Sequence, residues 1–262
     1  MYSLDCLIGT GNTAEVYDIG DNKVVKLFNR GYFYDSVVKE YNNSKLINTL
    51  DICTPKSYEL VDIDERYGII YDKIVGIPLD KILLETLNIE KNTAILAKIH
   101  KELLKKKLPN AVSAKSVLHY NITNTCFISP DIKAKLLTIL SKLPDDDGFC
   151  HGDFHYGNIL VGDNKNYVID FMDICKGNRL YDIARTVYLI EKTPVPDGVP
   201  DAKALLQIKR QASVEYLSHM RITESDIEEW MIVISAARLY ELRDDQTNEI
   251  NSILHFLNEY GL

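Results

Sequence analysis

The stretch His151-Gly152-Asp153-Phe154-His155-Tyr156-Gly157-Asn158 constrains this chain more than any other, together with Asp170 in Tyr167-Val168-Ile169-Asp170-Phe171, twelve residues after Asn158. Asn158-Ile159-Leu160-Val161 and Tyr167-Val168-Ile169-Asp170 read as two short strands, and Gly162-Asp163-Asn164-Lys165-Asn166 between them is turn chemistry. In such a hairpin the start of one strand lies beside the end of the other. Asn158 and Asp170 are therefore expected to meet, next to the loop that carries Asp153. One carboxylate and one amide oxygen suit a hard cation such as Mg2+, which takes oxygen ligands and keeps waters and phosphates in its other positions. Asp153 is left to accept a proton from an attacking hydroxyl. A lone H-x-D is common and a lone Asp-Phe carries nothing; the specificity lies in the full pattern with the hairpin between its halves.

The spacing from Asp153 to Asn158 matches the kinase layout, in which H-R-D-x-x-x-x-N supplies a base and a metal ligand and D-F-G supplies a second ligand. Here Gly152 replaces the arginine and D-F-G becomes Asp170-Phe171-Met172. Both departures point away from protein kinases. The sequence resembles the aminoglycoside phosphotransferase and choline kinase superfamily, small-molecule kinases with a protein-kinase-like fold, whose motifs are H-G-D-x-H-x-x-N and I-D-[FW]-x-D. That resemblance implies Asp153 as catalytic base, Asn158 and Asp170 as metal ligands, and His151 as a brace for the loop. It also implies that Asp182, at a helix start in Asn178-Arg179-Leu180-Tyr181-Asp182-Ile183-Ala184, ties the loop down.

The N-terminal part supports this independently. Ile8-Gly9-Thr10-Gly11-Asn12-Thr13-Ala14 joins two strands, where a Rossmann or Walker site would join a strand to a helix. Gly9 and Gly11 thus fit a flap over nucleotide phosphates. In Lys23-Val24-Val25-Lys26-Leu27-Phe28, Lys26 is a charge amid apolar residues on a strand that should be central, and such a lysine needs an anion unless the strand is an edge. By the resemblance it contacts the α- and β-phosphates. Its acidic partner should be Glu40, which shares the inward face of the next helix with Val37, Tyr41 and Ser44. Tyr71-Asp72-Lys73-Ile74-Val75-Gly76-Ile77-Pro78-Leu79 resembles the family's hinge.

Strands are expected over Leu4–Ile8, Glu15–Ile19, Lys23–Phe28, Ser57–Asp62 and Tyr67–Asp72, with a helix over Phe33–Leu50. Residues 73–78 are the connector, and a mostly helical remainder is interrupted by one β segment from Cys150 to Asp173. The expected fold is α+β and kinase-like in two lobes. A small five-stranded antiparallel N-lobe spans residues 1–73, a larger helical C-lobe spans 74–262, and the active site lies between them. Competing readings are a protein kinase, a silent nucleotide-binding module, and a metallohydrolase using His151, Asp153 and His155 on Zn2+. No A-P-E segment follows Asp170, and Lys26, Asp153, Asn158 and Asp170 are all present.

A net charge of -8 argues against nucleic acid and mildly favours a cationic acceptor. No apolar run approaches the roughly 20 residues of a membrane span, and Met1–Asp5 does not read as a secretory leader. Cys6, Cys53, Cys126, Cys150 and Cys175 never form C-x-x-C and read as small buried hydrophobes in a reducing cytoplasm. The expected partners are ATP or GTP with Mg2+, and a small hydroxylated molecule. Trp230, Tyr240, Glu241, Asp244 and Asp245 read either as an aromatic and acidic pocket for an amine or, preferably, as a core tryptophan and a solvated helix end.

Overall fold

The computed structural model describes Leu4 and residues 6–11, 13–195 and 198–262. Residues 1–3, Asp5 of the first expected strand, Asn12 of the expected Gly-rich loop, Pro196 and Asp197 lie outside the described residues. The chain packs as two units: residues 1–85 with 156–173, and residues 86–155 with 174–262. The packing therefore divides the chain elsewhere than at residue 73.

In the first unit, β1 (Cys6–Thr10), β2 (Ala14–Gly20), β3 (Lys23–Phe28), β4 (Ser57–Ile63) and β5 (Arg66–Asp72) form an antiparallel sheet in the order β1-β2-β3-β5-β4. The fold class expected from the sequence is met here. Two tight turns close it, and in both the chain takes positive φ at Asp and Asn or Glu: Asp21 and Asn22 at 50° and 56°, Asp64 and Glu65 at 51° and 61°. Such turns twist with the strands they join. Helix α1 (Tyr34–Ile47) buries Val37, Glu40, Ser44 and Ile47. Val37 packs with Ala14, Phe28 and Ile69 on one face of the sheet, while Val25, Leu27 and Ile70 fill the other. The period of two along β3 thus puts Lys26 on the same face as Phe28.

The connector does more than connect. Within it and just beyond, β6 (Ile77–Pro78) pairs with β8 (Ile159–Val161), which pairs in turn with β9 (Asn166–Val168). A 3-10 turn, Tyr156–Asn158, precedes β8. Gly76 lies against this hairpin, where an added Cβ would come 3.1 Å from the Val161 carbonyl oxygen. Helix α2 (Leu79–Thr86) follows.

The second unit carries α3 (Ile89–Leu103), α4 (Ala114–Asn124), α5 (Pro130–Lys142), α6 (Arg179–Val187), α7 (Ala202–Met220), α8 (Glu224–Arg238) and α9 (Thr247–Glu259). Helix α4 carries no marked apolar stripe and was not expected. One π-turn, Tyr188–Lys192, continues α6, and a 3-10 turn, Leu239–Glu241, continues α8. Trp230 is buried against Tyr181, as preferred from the sequence. A two-stranded ladder joins β7 (Gly148–Cys150) to β10 (Cys175–Gly177) and delivers the chain to His151. Of the five cysteines only Cys150 and Cys175 are buried. Cys6 and Cys126 are exposed and Cys53 is intermediate, which corrects the expectation of five core thiols. The three sit at element ends or in loops, where the apolar character of a thiol does not decide its place.

Gly148 has no room for a side chain, since a Cβ would sit 2.8 Å from the Gly177 carbonyl oxygen. Gly148→Ala should push the ladder apart and cost about 1–3 kcal/mol, the range for overpacking. Thermal unfolding should show a lower Tm, and an unchanged Tm would mean that the ladder yields freely.

Candidate active site

The sheet unit gathers four of the expected residues. Lys26 stands on the central strand, flanked by Val16 of β2 and Ile69 of β5, so it is not on an edge. Its Nζ donates to Glu40 Oε1 at 2.8 Å and Oε2 at 2.9 Å, and lies 3.4 Å from Asp170 Oδ1. Burial pulls the Lys26 ammonium down, but the charges of Asp170 and Glu40 outweigh it and leave the group above its ordinary value. Burial pushes the Glu40 carboxyl up, and Lys26 and the Tyr71 hydroxyl only partly counter it. These directions pull against each other. The two-pronged contact decides it, because a charge-assisted pair at this distance favours the ionised form of both partners.

Asp170 follows β9 with φ at 64°, a left-handed conformation that Asp tolerates better than most residues. The Ile169 amide donates to the Asn158 carbonyl at 3.0 Å, one step beyond the Ile159–Val168 pair. Asn158 and Asp170 therefore share one end of the hairpin, as the spacing predicts. Asn43 Nδ2 donates to the carbonyls of Phe171 and Met172 at 2.8 and 3.0 Å and fixes the chain after Asp170. Sequence reasoning missed Asn43, although it lies three residues beyond Glu40 and so on a neighbouring part of the same helix face. Gly9 lies in β1, paired with Val16 of β2, and Gly11 lies just past the end of β1. The nearest atoms to an added Cβ there are 3.6 and 3.5 Å away, so packing within the chain does not demand glycine at either position.

The helical unit holds the loop with Asp153. Its organiser is Asp182, fully buried in the first turn of α6. Asp182 Oδ2 accepts from the His151 amide at 2.8 Å and Oδ1 from the Gly152 amide at 2.9 Å. His100 Nε2 lies 2.9 Å from Oδ2, and its Nδ1 lies 2.5 Å from the Tyr216 hydroxyl. A carboxylate can only accept, so Nε2–H donates to Asp182, and Nδ1 of the neutral ring accepts a hydrogen bond from the Tyr216 hydroxyl. Burial works against ionisation of Asp182, but the His100 hydrogen bond and the two loop amides hold its carboxyl below the ordinary value. His100 was missed from sequence. The available signal was a polar residue on the apolar stripe of Leu96 and Leu103.

His151 is fully buried, and its Nδ1 accepts from the Asp153 amide at 3.3 Å. His155 Nε2 lies 3.6 Å from Asp153 Oδ2. Burial again opposes ionisation of Asp153, yet the hydrogen bond and charge of His155, with Arg185 and His151, bring its carboxyl down to about 2. Among the described residues no three of His, Cys, Asp and Glu converge to hold a metal, which leaves the zinc reading without a site.

Glu241 ends the 3-10 turn after α8 and is exposed, the solvated helix end preferred from the sequence, but it is paired there. Arg238 and Arg185 donate to its Oε2 at 2.8 and 3.5 Å, and Asn121 to its Oε1 at 3.3 Å. Asp245 pairs with Arg243, and Asp244 is exposed. Periodicity cannot show that two arginines from other turns converge on one acid.

The model of the APH family, described as the phosphotransferase enzyme family, matches residues 126–212. No curated protein matches the chain. An amicoumacin kinase solved with AMP-PNP, Ca2+ and Ami shares 12% identity at a TM-score of 0.63, covering 99% of this chain and 90% of that one. An aminoglycoside-3'-phosphotransferase of type VIII shares 12% at 0.62, covering 92% and 93%. An aminoglycoside phosphotransferase from Streptomyces rimosus, solved with ADP and streptomycin, shares 14% at 0.57, covering 87% and 91%. The family model covers the residues whose motifs carried the resemblance, His151 to Asn158 and Asp170 among them, and the fold is similar to that of these small-molecule kinases, as expected.

Asp182→Asn turns one acceptor into a donor facing the loop amides and His100, and breaking a buried charge cluster this way costs about 3–5 kcal/mol. Because the folded carboxyl is depressed, its stabilisation is present above the ordinary Asp range and lost as pH falls through the folded value. Acid denaturation should therefore show a smaller drop in stability below pH ~4 for the variant than for wild type. Equal acid sensitivity would mean that Asp182 is not charged in the fold.

Proposed function

We propose that this chain, which carries the phosphotransferase enzyme family's pattern over residues 126–212 on a kinase-like fold, moves the γ-phosphoryl group of ATP or GTP to a hydroxyl of a small molecule. The observation that carries the reading is Lys26, held by both oxygens of Glu40 and by Asp170 on a central strand, with 18% of its side chain open to solvent. A lysine so fixed can meet phosphate oxygens without reorganising, which is what electrostatic catalysis of phosphoryl transfer needs. Gly9 and Gly11 would let the β1–β2 backbone approach the phosphates.

Asn158 and Asp170 fit Mg2+: both offer hard oxygens from one hairpin end, leaving room for phosphates and water in its shell. When bound, the ion would offset charge that develops on the phosphates. Asp153, five residues before Asn158, would orient the acceptor hydroxyl by accepting its hydrogen bond. Against the pull of burial, His155 and Arg185 keep that carboxylate ionised, and it would take the hydroxyl proton as the acceptor oxygen bonds to phosphorus.

For the acceptor, the acidic cluster no longer argues: Glu241 is neutralised by Arg185 and Arg238, and Asp245 by Arg243. The net charge of -8 and the family resemblance still favour an amine-bearing alcohol or amino sugar. Among the described residues no helix is long and apolar enough to cross a membrane, and five cysteines without a pairing pattern fit a reducing cytoplasm, where nucleotides are held.

Asp153→Asn should leave nucleotide affinity within a few-fold and lower kcat by about 10² or more. Near-normal turnover would remove Asp153 from its role. Asp170→Ala should abolish Mg2+-dependent nucleotide binding in titration calorimetry, and unchanged binding would refute the ligand assignment. In a turnover panel of hydroxylated metabolites and aminoglycosides, productive acceptors should be amines. Turnover confined to neutral sugars would sink the cationic acceptor and leave the kinase standing.

A further inference from the structure

Gly152 sits immediately before Asp153 with φ at 78°, and both of its backbone polar groups are gripped by one helix. Its amide donates to Asp182 Oδ1 at 2.9 Å, and its carbonyl accepts from Arg185 Nε at 3.1 Å. Asp182 and Arg185 are three residues apart on α6 and so share a face. Without such a grip a glycine would let the next residue sample a wide range of directions.

Arg185 is itself held. Its side chain is 11% exposed, and Nη2 lies 3.5 Å from Glu241 Oε2. Glu241 is kept in place by Arg238 Nη1 at 2.8 Å and Asn121 Nδ2 at 3.3 Å. Arg238 is anchored in turn by Glu249, through Nε at 2.9 Å, and Glu249 also accepts from Tyr188 at 3.1 Å. The chain of contacts thus runs from α9 through the 3-10 turn after α8 to the peptide before Asp153.

We infer that Arg185 is a positioning residue that fixes the Gly152–Asp153 peptide, and that Glu241 serves as the anchor of Arg185 instead of an acceptor subsite. Arg185 acts on Asp153 in two ways: its hydrogen bond sets the direction of the loop, and its charge helps keep the Asp153 carboxylate ionised. Lysine cannot replace it, because one ammonium does not offer Nε to a carbonyl and Nη to a carboxylate in a fixed fork. The inference rests on the phosphotransferase reading for its kinetic consequence, but the grip on Gly152 does not.

The test uses the full chain. Arg185→Ala should lower kcat about 10- to 100-fold, the scale for misplacing a catalytic group by an ångström or less, with KM for nucleotide and acceptor within about threefold. Methylguanidinium should restore part of kcat to this variant. Glu241→Gln should lower kcat by a smaller factor, and Asp244→Asn, exposed and outside the network, should leave it unchanged. Full kcat in folded Arg185→Ala overturns the inference. So does a loss that appears only in the acceptor KM, since Arg185 would then be touching substrate. Should Arg185→Ala fail to fold, Arg185→Lys and Glu241→Gln decide, and full kcat in both overturns it. Amide exchange over residues 150–154, read without substrate, separates this from the function itself. If wild type transfers no phosphoryl group the kinase reading fails, while faster exchange confined to that segment in the variants still supports the grip and unchanged exchange rejects it.

Discussion

Taking the Asp182 carboxylate out of water costs several kcal/mol, and the helical unit is arranged to offset that cost. Two amides of one loop, His151 and Gly152, point at its two oxygens, and His100 from α3 supplies a third donor, backed by Tyr216 of α7. One charge thereby ties three segments that are distant in sequence. The tie specifies geometry as well as stability: a carboxylate accepting in fixed directions leaves the loop one arrangement, whereas apolar packing would leave several. The direction in which Asp153 leaves that loop depends on it.

The sheet unit solves a related problem with the opposite sign. Lys26 is a cation among apolar neighbours, and Glu40 neutralises it from α1 with both oxygens. The helix can do this because Val37 packs against Phe28 and Ile69, which sets the height of α1 over the sheet. Asn43 then reaches the carbonyls beyond Asp170 from the same helix. Core packing and site geometry are therefore one arrangement: moving α1 would shift the partner of Lys26 and the anchor of Asp170 together.

Much of this was legible beforehand, for identifiable reasons. The five strands and α1 follow from period-two and period-3.6 patterns between strong turn signals, and they appear within a few residues of their expected bounds. The Lys26–Glu40 pair could be anticipated because a central-strand charge requires a counter-charge, and only one nearby helix offered an acid on its inner face. The Asn158–Asp170 proximity followed from hairpin geometry. By contrast, β6 is two residues long, and nothing in Ile77-Pro78 says that it will pair with β8. Helix α4 has no clear apolar stripe to betray it. The exposed Cys6 and Cys126 show that residue type alone is a poor guide to burial at element ends.

Local patterns in the sequence settled which residues carry charge, which faces turn inward and which turns reverse the chain, because those depend on neighbours a few residues away. Long-range convergence had to wait for the tertiary structure. His100, Asp182 and Tyr216 meet across 116 residues of chain, and Glu241 is claimed by Arg185 and Arg238. No spacing encodes such meetings. A buried acid takes whichever donors the packed helices bring within about 3 Å, and that is decided only when their crossing is fixed.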